Sequence, residues 1–393
     1  VCAGTRDPKL DAMDIDRAPR YDRKGTATRG NAVPEKYLVI DADTHVIETD
    51  ETWEYLEGAD RALRPKLVSS PQDPGRQYWI VDGHVAGPPL STKTDDAVDE
   101  FAARAKRSMA TPADARTMRD VDLRLKHMSE LGIDVQVLHN TLWIGQVTSR
   151  PRTQIALCRS WNRWLAEIWR QGGGRLRWTC VVPTLALDVA VEEIRFAAAH
   201  GAVGICLQPF DRDLMMLDEY YFPIYEVASE LDMAIIVHVA NGDPHLAAAL
   251  KTRTGVLQGL DFLMPAVTAC FAIVLGTITE TFPTLRWGIV EAGAGWVPWC
   301  IQLTSRLKDE EYTRDHNPFA ENRIYVTTSI GDDYRYITEW VGDGQLIIGT
   351  DYGHTDPASE IDAIAQFLEV DLTDEEKRKV LSDNPMALYN ITA

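Results

Sequence analysis

The sequence predicts an α/β chain folded as a distorted (β/α)8 TIM barrel with a cap insertion after its first strand. Three observations carry that expectation. From about residue 116 onward, apolar, β-branched runs of five to eight residues alternate with longer amphipathic segments. With an earlier run at 38–40 there are eight of them, the number a closed parallel barrel needs. Several are almost continuously apolar, as strands are when helices cover both faces of a parallel sheet. The strand candidates are 38–40, 134–139, 177–182, 203–208, 234–239, 285–290, 323–328 and 346–350, with helical apolar spacing over 119–131, 155–171 and 188–200. A doubly wound open sheet is the competing topology. It calls for a glycine-rich phosphate turn after the first strand, and Asp41-Ala42-Asp43-Thr44 is nothing like one.

Around this repeat the chain divides simply. Residues 1–36 are polar, charged and unpatterned, and read as an extended arm over the surface or across a subunit contact of a homodimer. Residues 37–393 form the barrel domain. Within it, 49–115 is an insertion expected to cap the barrel mouth. It holds two β-prone runs joined by Asp82-Gly83, a strong hairpin signal, and a helical stretch at 95–107.

Composition excludes several function classes. The formal net charge is -19, with no basic stripe to displace counterions from a nucleic acid. No apolar run is long enough to cross a bilayer, so no membrane partner is expected. Val1-Cys2-Ala3-Gly4 lacks a basic run followed by an apolar one, so a signal peptide is not expected in this stretch, and the six scattered cysteines contain no CxxC pair. These features predict reduced, buried thiols in a cytoplasmic protein whose partner is a small-molecule substrate.

In a barrel the chemistry sits where strands end. The first run ends in Asp41-Ala42-Asp43-Thr44-His45, and alternation along a strand puts Asp41, Asp43 and His45 on one face, with Glu48 three residues on. Read alone, the stretch could be a solvated turn after a buried strand. Strand two ends in His139 and Asn140, strand four in Gln208, and strand five in His238 with Asn241 beyond it. Strand six leads to Glu291, and strand eight to Asp351 with His354. Imidazoles and carboxylates converging from separate strand ends are what a divalent cation requires. A lone histidine after an apolar run is usually a satisfied core residue. With Asp43, His45 and Asp351 on the expected strands, His238 is better read as a ligand. The predicted metal set is therefore Asp43, His45, His238, Asp351 and Glu291, with Asp351, Glu291 and His238 also catalytic. His139 and His354 are candidates for a second metal or for supporting hydrogen bonds. Trp143, Gln208, Phe210, Asn241, Trp296 and Tyr352 follow strand ends and are expected to wall the substrate pocket.

These residues carry a resemblance. Asp41-Ala42-Asp43-Thr44-His45, His238, the run from Glu291 through Gly293 and Gly295 to Pro298, and Gly349-Thr350-Asp351-Tyr352-Gly353-His354 resemble the amidohydrolase-related family 2. Asp383-Asn384-Pro385 before Ala387-Leu388-Tyr389 is similar to that family's closing helix. This branch of the amidohydrolase superfamily includes aminocarboxymuconate-semialdehyde decarboxylase and the resorcylate-type decarboxylases. The resemblance spans residues 37–392 and implies a distorted barrel with a metal at the strand ends. It matches Asp43 and His45 to the first-strand pair, His238 to the fifth-strand ligand and Asp351 to the eighth-strand aspartate. Two positions depart from the family. Asp43 stands where its first histidine usually is, and Glu291 where many decarboxylases have histidine. No lysine ends strand four. The extra oxygen donors favour iron or manganese over zinc, as one or two ions.

The expected function is hydrolysis or decarboxylation of a small organic substrate through a metal-bound water or a metal-polarised carboxylate. The alternative from a different reaction class is a nonheme diiron monooxygenase on the same scaffold, with Glu291 and His139 or His354 holding a second iron. A catalytically silent binding barrel is a third reading; it would keep many polar groups unpaired at strand ends, which is costly.

Overall fold

The computed structural model describes residues 37–71, 77–87, 95–240, 258–308, 317–355 and 358–392. Eight strands run parallel in chain order: β1 Ile40–His45, β2 Val135–His139, β3 Leu176–Cys180, β4 Ala202–Leu207, β5 Ala234–His238, β6 Trp287–Val290, β7 Ile324–Thr328 and β8 Leu346–Ile348. Each pairs with its neighbours in that order, with none of the reversals of a doubly wound sheet. The circle closes just past β8, where the His45 amide donates to the Tyr352 carbonyl at 2.7 Å and the Asp351 amide to the Asp43 carbonyl at 2.9 Å. The architecture is the predicted distorted (β/α)8 barrel.

Helices pack outside the sheet as the apolar spacing requires. The insertion carries its own helix, α1 Asp95–Ala105, and the helices around the sheet include α2 Val121–Glu130, α3 Pro151–Gln171 and α4 Leu187–Ala199. The Asp120 side chain caps α2 by accepting the Leu123 amide at 2.8 Å, and α3 begins with Pro151 in its first turn, where a missing N–H costs nothing. Trp161, Trp164 and Leu165 of α3 bury against Trp178 and Cys180 of β3. Each such fully buried large side chain contributes roughly 1.5–3 kcal/mol. Inside the barrel, Ile40, Ala42, Val135, Val137, Ile236, Val290 and Ile347 form a separate apolar plug with Leu388 and Tyr389 of the last helix. The Tyr389 hydroxyl donates to the Ala42 carbonyl at 2.8 Å.

The 49–115 segment contributes a three-stranded antiparallel sheet, Lys66–Ser69, Gln77–Val81 and His84–Gly87. Its hairpin turns at Asp82 and Gly83, both with positive φ (52° and 83°), as the Asp-Gly pair predicts. Trp53, Leu56, Trp79 and Val81 pack on Leu142 and Val147 beyond β2 and on Ala156 and Leu157 of α3. The insertion is thus seated beside the loop that follows β2. The 1–36 arm lies outside the described residues.

One expectation about β1 is corrected. Alternation placed Asp41 on the face of Asp43 and His45, but the pairing of β1 with β2 slips between Asp41 and Thr44. An irregularity there re-aims the side chains beyond it. Asp41 instead accepts the Thr350 amide at 2.9 Å, the Thr350 hydroxyl at 2.6 Å and Gln136 Nε2 at 3.1 Å. Gln136 in turn accepts Arg124 Nε at 2.7 Å, and the Arg124 guanidinium lies 3.7 Å over the Tyr352 ring. Burial raises the Asp41 carboxyl to about 7 despite the hydrogen bonds from Thr350 and Gln136. This buried network ties β1 to β8.

Candidate metal centre

Two imidazoles define the centre. His45 Nδ1 lies 2.8 Å from the Asn140 carbonyl, and His238 Nδ1 lies 2.9 Å from the Val239 carbonyl. A carbonyl only accepts, so both Nδ1 atoms carry hydrogen, and each neutral ring is left with a bare lone pair on Nε2. These two Nε2 atoms face each other at 3.0 Å. Two bare lone pairs repel at that distance unless a proton or a metal ion sits between them.

Carboxylates complete the enclosure. Asp43 Oδ1 is 3.5 Å from His45 Nε2 and 3.6 Å from His238 Nε2, longer than good hydrogen bonds. Asp351 Oδ1 is 3.4 Å from His45 Nε2, and Glu291 Oε2 is 3.6 Å from His238 Nε2. Asp43, His45 and His238 form one group able to hold an ion; His45, Glu291, Asp351 and His354 form another that shares His45. First-row divalent ions bind nitrogen and oxygen at about 2.0–2.2 Å, which spaces adjacent ligands by roughly 3–3.5 Å. The donor set fits such an ion.

The electrostatics agree. Burial pushes the Asp43 carboxyl up, but contacts with His238 and His45 more than offset this and hold it well below the usual carboxylate range. Burial pushes His238 down, while Asp43 more than compensates and raises it. The same Asp43 contact that favours positive charge on His238 would favour a divalent cation at this point. Burial drives His45 the other way, to about 3, helped by His354.

Second contacts fix these groups. His354 stacks on His45 with centroids 3.6 Å apart; its Nδ1 is 2.9 Å from Asp351 Oδ1 and its Nε2 is 2.9 Å from Thr141 Oγ1. The Ser359 hydroxyl donates to Asp351 Oδ2 at 2.6 Å. Glu48 is buried away from the cluster, where it accepts the Thr141 and Leu142 amides (both 3.1 Å) and Trp161 Nε1 (3.0 Å); burial raises it to about 7. Gly349 makes room for Asp43, since a β-carbon there would lie 2.2 Å from the Asp43 Cβ. Glu291 and Asp351 both have left-handed backbone, with φ of 68° and 52°. Asp tolerates that region; Glu does so less readily, and such strain concentrates at functional positions.

The structure brings together Asp43, His45, His238, Asp351, Glu291 and His354. His139, expected near a second metal, has both ring nitrogens engaged: Nε2 at 3.2 Å from the Ala42 carbonyl and Nδ1 at 2.9 Å from Thr179 Oγ1. Of the expected pocket wall, Trp143 and Gln208 line a concavity at the ends of β2, β3 and β4. Phe210 lies beside it in a two-residue ladder with Met215, half-buried. Trp296 turns its indole N–H to the Gly293 carbonyl and packs on Phe319. Tyr352 is fully buried under Arg124, with its hydroxyl 2.8 Å from His127 Nδ1; it belongs to the barrel seam and not to the pocket. Asn241 lies outside the described residues. Sequence reasoning missed Thr141, Ser359 and Arg124. Arg124 alone carried a signal, because it stands between Val121 and Met128 on the buried face of α2.

A barrel that turns two imidazole lone pairs and three carboxylates toward one point is a metal-dependent enzyme scaffold. The sequence profile of the amidohydrolase family matches residues 40–391, and the chain belongs to that family. Solved structures share the fold. An amidohydrolase from Mycobacterium avium subsp. paratuberculosis superposes with a TM-score of 0.71 at 17% identity, covering 91% of this chain and 99% of its own. The 2,6-dihydroxybenzoate decarboxylase from Rhizobium gives 0.60 at 16% identity, covering 90% and 99%. The 5-carboxyvanillate decarboxylase from Novosphingobium aromaticivorans, complexed with manganese and 4-hydroxy-3-methoxy-5-nitrobenzoic acid, gives 0.58 at 16% identity, covering 90% and 96%.

Proposed function

We propose that this chain hydrolyses a small carbonyl substrate at a divalent ion held by Asp43, His45, His238 and Asp351. The observation that carries the reading is the pair of inward-facing Nε2 atoms 3.0 Å apart with Asp43 Oδ1 beside both. When bound, such an ion supplies Lewis acidity, which acidifies a water and polarises a carbonyl. The chain supplies the rest. Asn140 and Val239 carbonyls hold the two rings in the tautomer that leaves Nε2 open. Asp351, braced by Ser359 and 2.9 Å from His354 Nδ1, is placed to take up a proton released at the centre. Glu291, on the His238 side, is the alternative carrier of that same proton, which then passes from the carboxylate to the leaving group. The 49–115 segment would exclude water from the mouth.

The carboxylate count favours hydrolysis. Asp43 and Asp351 together balance a doubly charged ion, and Glu291 adds a further negative charge, so an anionic substrate gains little by approaching. Oxygen-rich ligation also favours manganese or iron over zinc. Decarboxylation is the second reading, supported by the decarboxylases among the fold's neighbours. Metal analysis of protein purified without chelator, followed by turnover in anaerobic buffer, tests the proposal. One manganese or iron per chain and product formation without oxygen support it. Carbon dioxide release from an aromatic acid would move the assignment to the second reading, and turnover that stops without oxygen would overturn both.

A further inference from the structure

Two outer helices differ from the rest of the barrel wall. α3 and α4 carry charged residues on their outer sides, where Arg159 lies 3.3 Å from Glu192 and Arg195 lies 2.6 Å from Glu230 of the next helix. α5 Gln258–Leu275, which follows β5, and α6 Val297–Leu307, which follows β6, have one charged residue each, Asp261 and Arg306. Leu260, Leu263, Met264 and Leu275 of α5 and Trp299 and Leu307 of α6 are exposed. They are six of the thirteen large hydrophobic side chains exposed among the described residues, so the exposure is concentrated here. On α5, Leu260, Met264, Thr268, Phe271 and Leu275 succeed one another at three or four residues and form one stripe. The Phe271 and Trp299 rings meet edge to face with centroids 4.8 Å apart, which joins that stripe to α6. Single exposed leucines need no explanation, but a continuous patch does. A helix that is apolar on its outer as well as its inner side is one that something covers.

Charge and size point to a second copy of this chain as the cover. The net charge of -19 makes two copies repel over most of their surface. The α5–α6 face, with one acidic and one basic residue, escapes that repulsion. A different protein would be steered and selected by complementary charge, which this face does not offer. A two-fold pairing of identical faces needs none. Helices of 18 and 11 residues, at about 1.5 Å per residue and roughly 10 Å wide, present about 400 Å² in projection. An apolar core of that size inside a polar rim is on the scale of a stable dimer interface, about 800 Å² per partner. Trp299 is the type of large aromatic anchor on which such interfaces depend. We propose that the outer faces of α5 and α6 pair with the same faces of a second copy in a two-fold symmetric dimer.

The test is sedimentation velocity on the full chain over about 1–100 µM, with hydroxyl-radical oxidation of Met264 and Trp299 followed across the same range. The wild type should sediment as a dimer at the upper end, and both side chains should become protected as the dimer forms. Met264→Glu sets like charges against each other in the pairing. It should weaken association about 30-fold or more while the circular-dichroism spectrum stays the same. Val85→Glu, at an exposed site on the hairpin of the insertion, should leave the dimer intact. If Met264→Glu misfolds, the concentration-dependent protection in the wild type still decides. A wild type that is monomeric throughout, a dimer in which Met264 and Trp299 stay reactive, or a dimer indifferent to Met264→Glu would overturn the proposal. Protection that is independent of concentration and lost on deletion of residues 1–36 would overturn it in favour of the arm. Binding of monomer to phosphatidylcholine vesicles through this face would overturn it in favour of a lipid surface.

Discussion

The ends of β1 and β2 lie side by side, and His45 pairs directly with His139 in the sheet register. Both histidines are fully buried, and burial lowers both to about 3. Yet one turns toward the donor cluster and the other does not. His45 spends one nitrogen on a carbonyl and turns the other to His238, Asp43 and Asp351. His139 spends both nitrogens on the protein. Burial and position on a strand end thus do not identify a ligand; the number of nitrogens left over does.

The largest test of this contrast is paired. His238→Ala should lower metal affinity by more than about 100-fold, beyond the loss seen when a mere supporting contact is removed. His139→Ala should retain stoichiometric metal. Mass-spectrometric metal content of both variants decides the matter, and equal losses would erase the distinction between the two strand ends.

Gly349→Ala probes the β1 side without touching a donor atom. The added carbon would meet Asp43 Cβ at 2.2 Å, so Asp43 or the β8 backbone must move. Overpacking of this kind costs about 1–3 kcal/mol, and the displaced carboxylate should weaken metal binding in the same variant. Unchanged stability in denaturant titration together with unchanged metal affinity would show that the seam is looser than its geometry indicates.

The smallest effect is in pH dependence. In chelated protein, His45 and His139 have folded values near 3, below the ordinary value of 6.5. The unfolded chain then binds more protons between those limits, so each ring makes stability fall as pH drops from about 6.5 toward 3. His238, raised in the folded state, contributes in the opposite sense. His139→Gln should flatten the acid limb by up to about 1.4 kcal/mol per pH unit, measured as unfolding free energy against pH. An unaltered slope would mean that His139 is protonated inside the fold.

Most of the barrel was legible because its signals are local. Apolar strand runs and helical spacing predicted eight units, and the observed strands fall on all eight with shifts of a few residues at their ends. Asp82-Gly83 located its hairpin because only a few residues accept positive φ at both turn positions. The strand-end rule brought Asp43, His45, His238, Glu291 and Asp351 to one place for the same reason: parallel strands of one barrel deliver their ends to one mouth.

What the sequence by itself determined, then, is the fold class, the family and which side chains gather at the mouth. Only the tertiary structure decided what each does there. The slip in β1 sends Asp41 to the seam and keeps Asp43 at the centre, and that irregularity depends on pairing with a strand some ninety residues away. Tyr352 turns under Arg124 for a similar reason, since its partner comes from α2. The contrast between His45 and His139 depends on which ring nitrogens the described residues occupy, and only contacts between distant segments settle that.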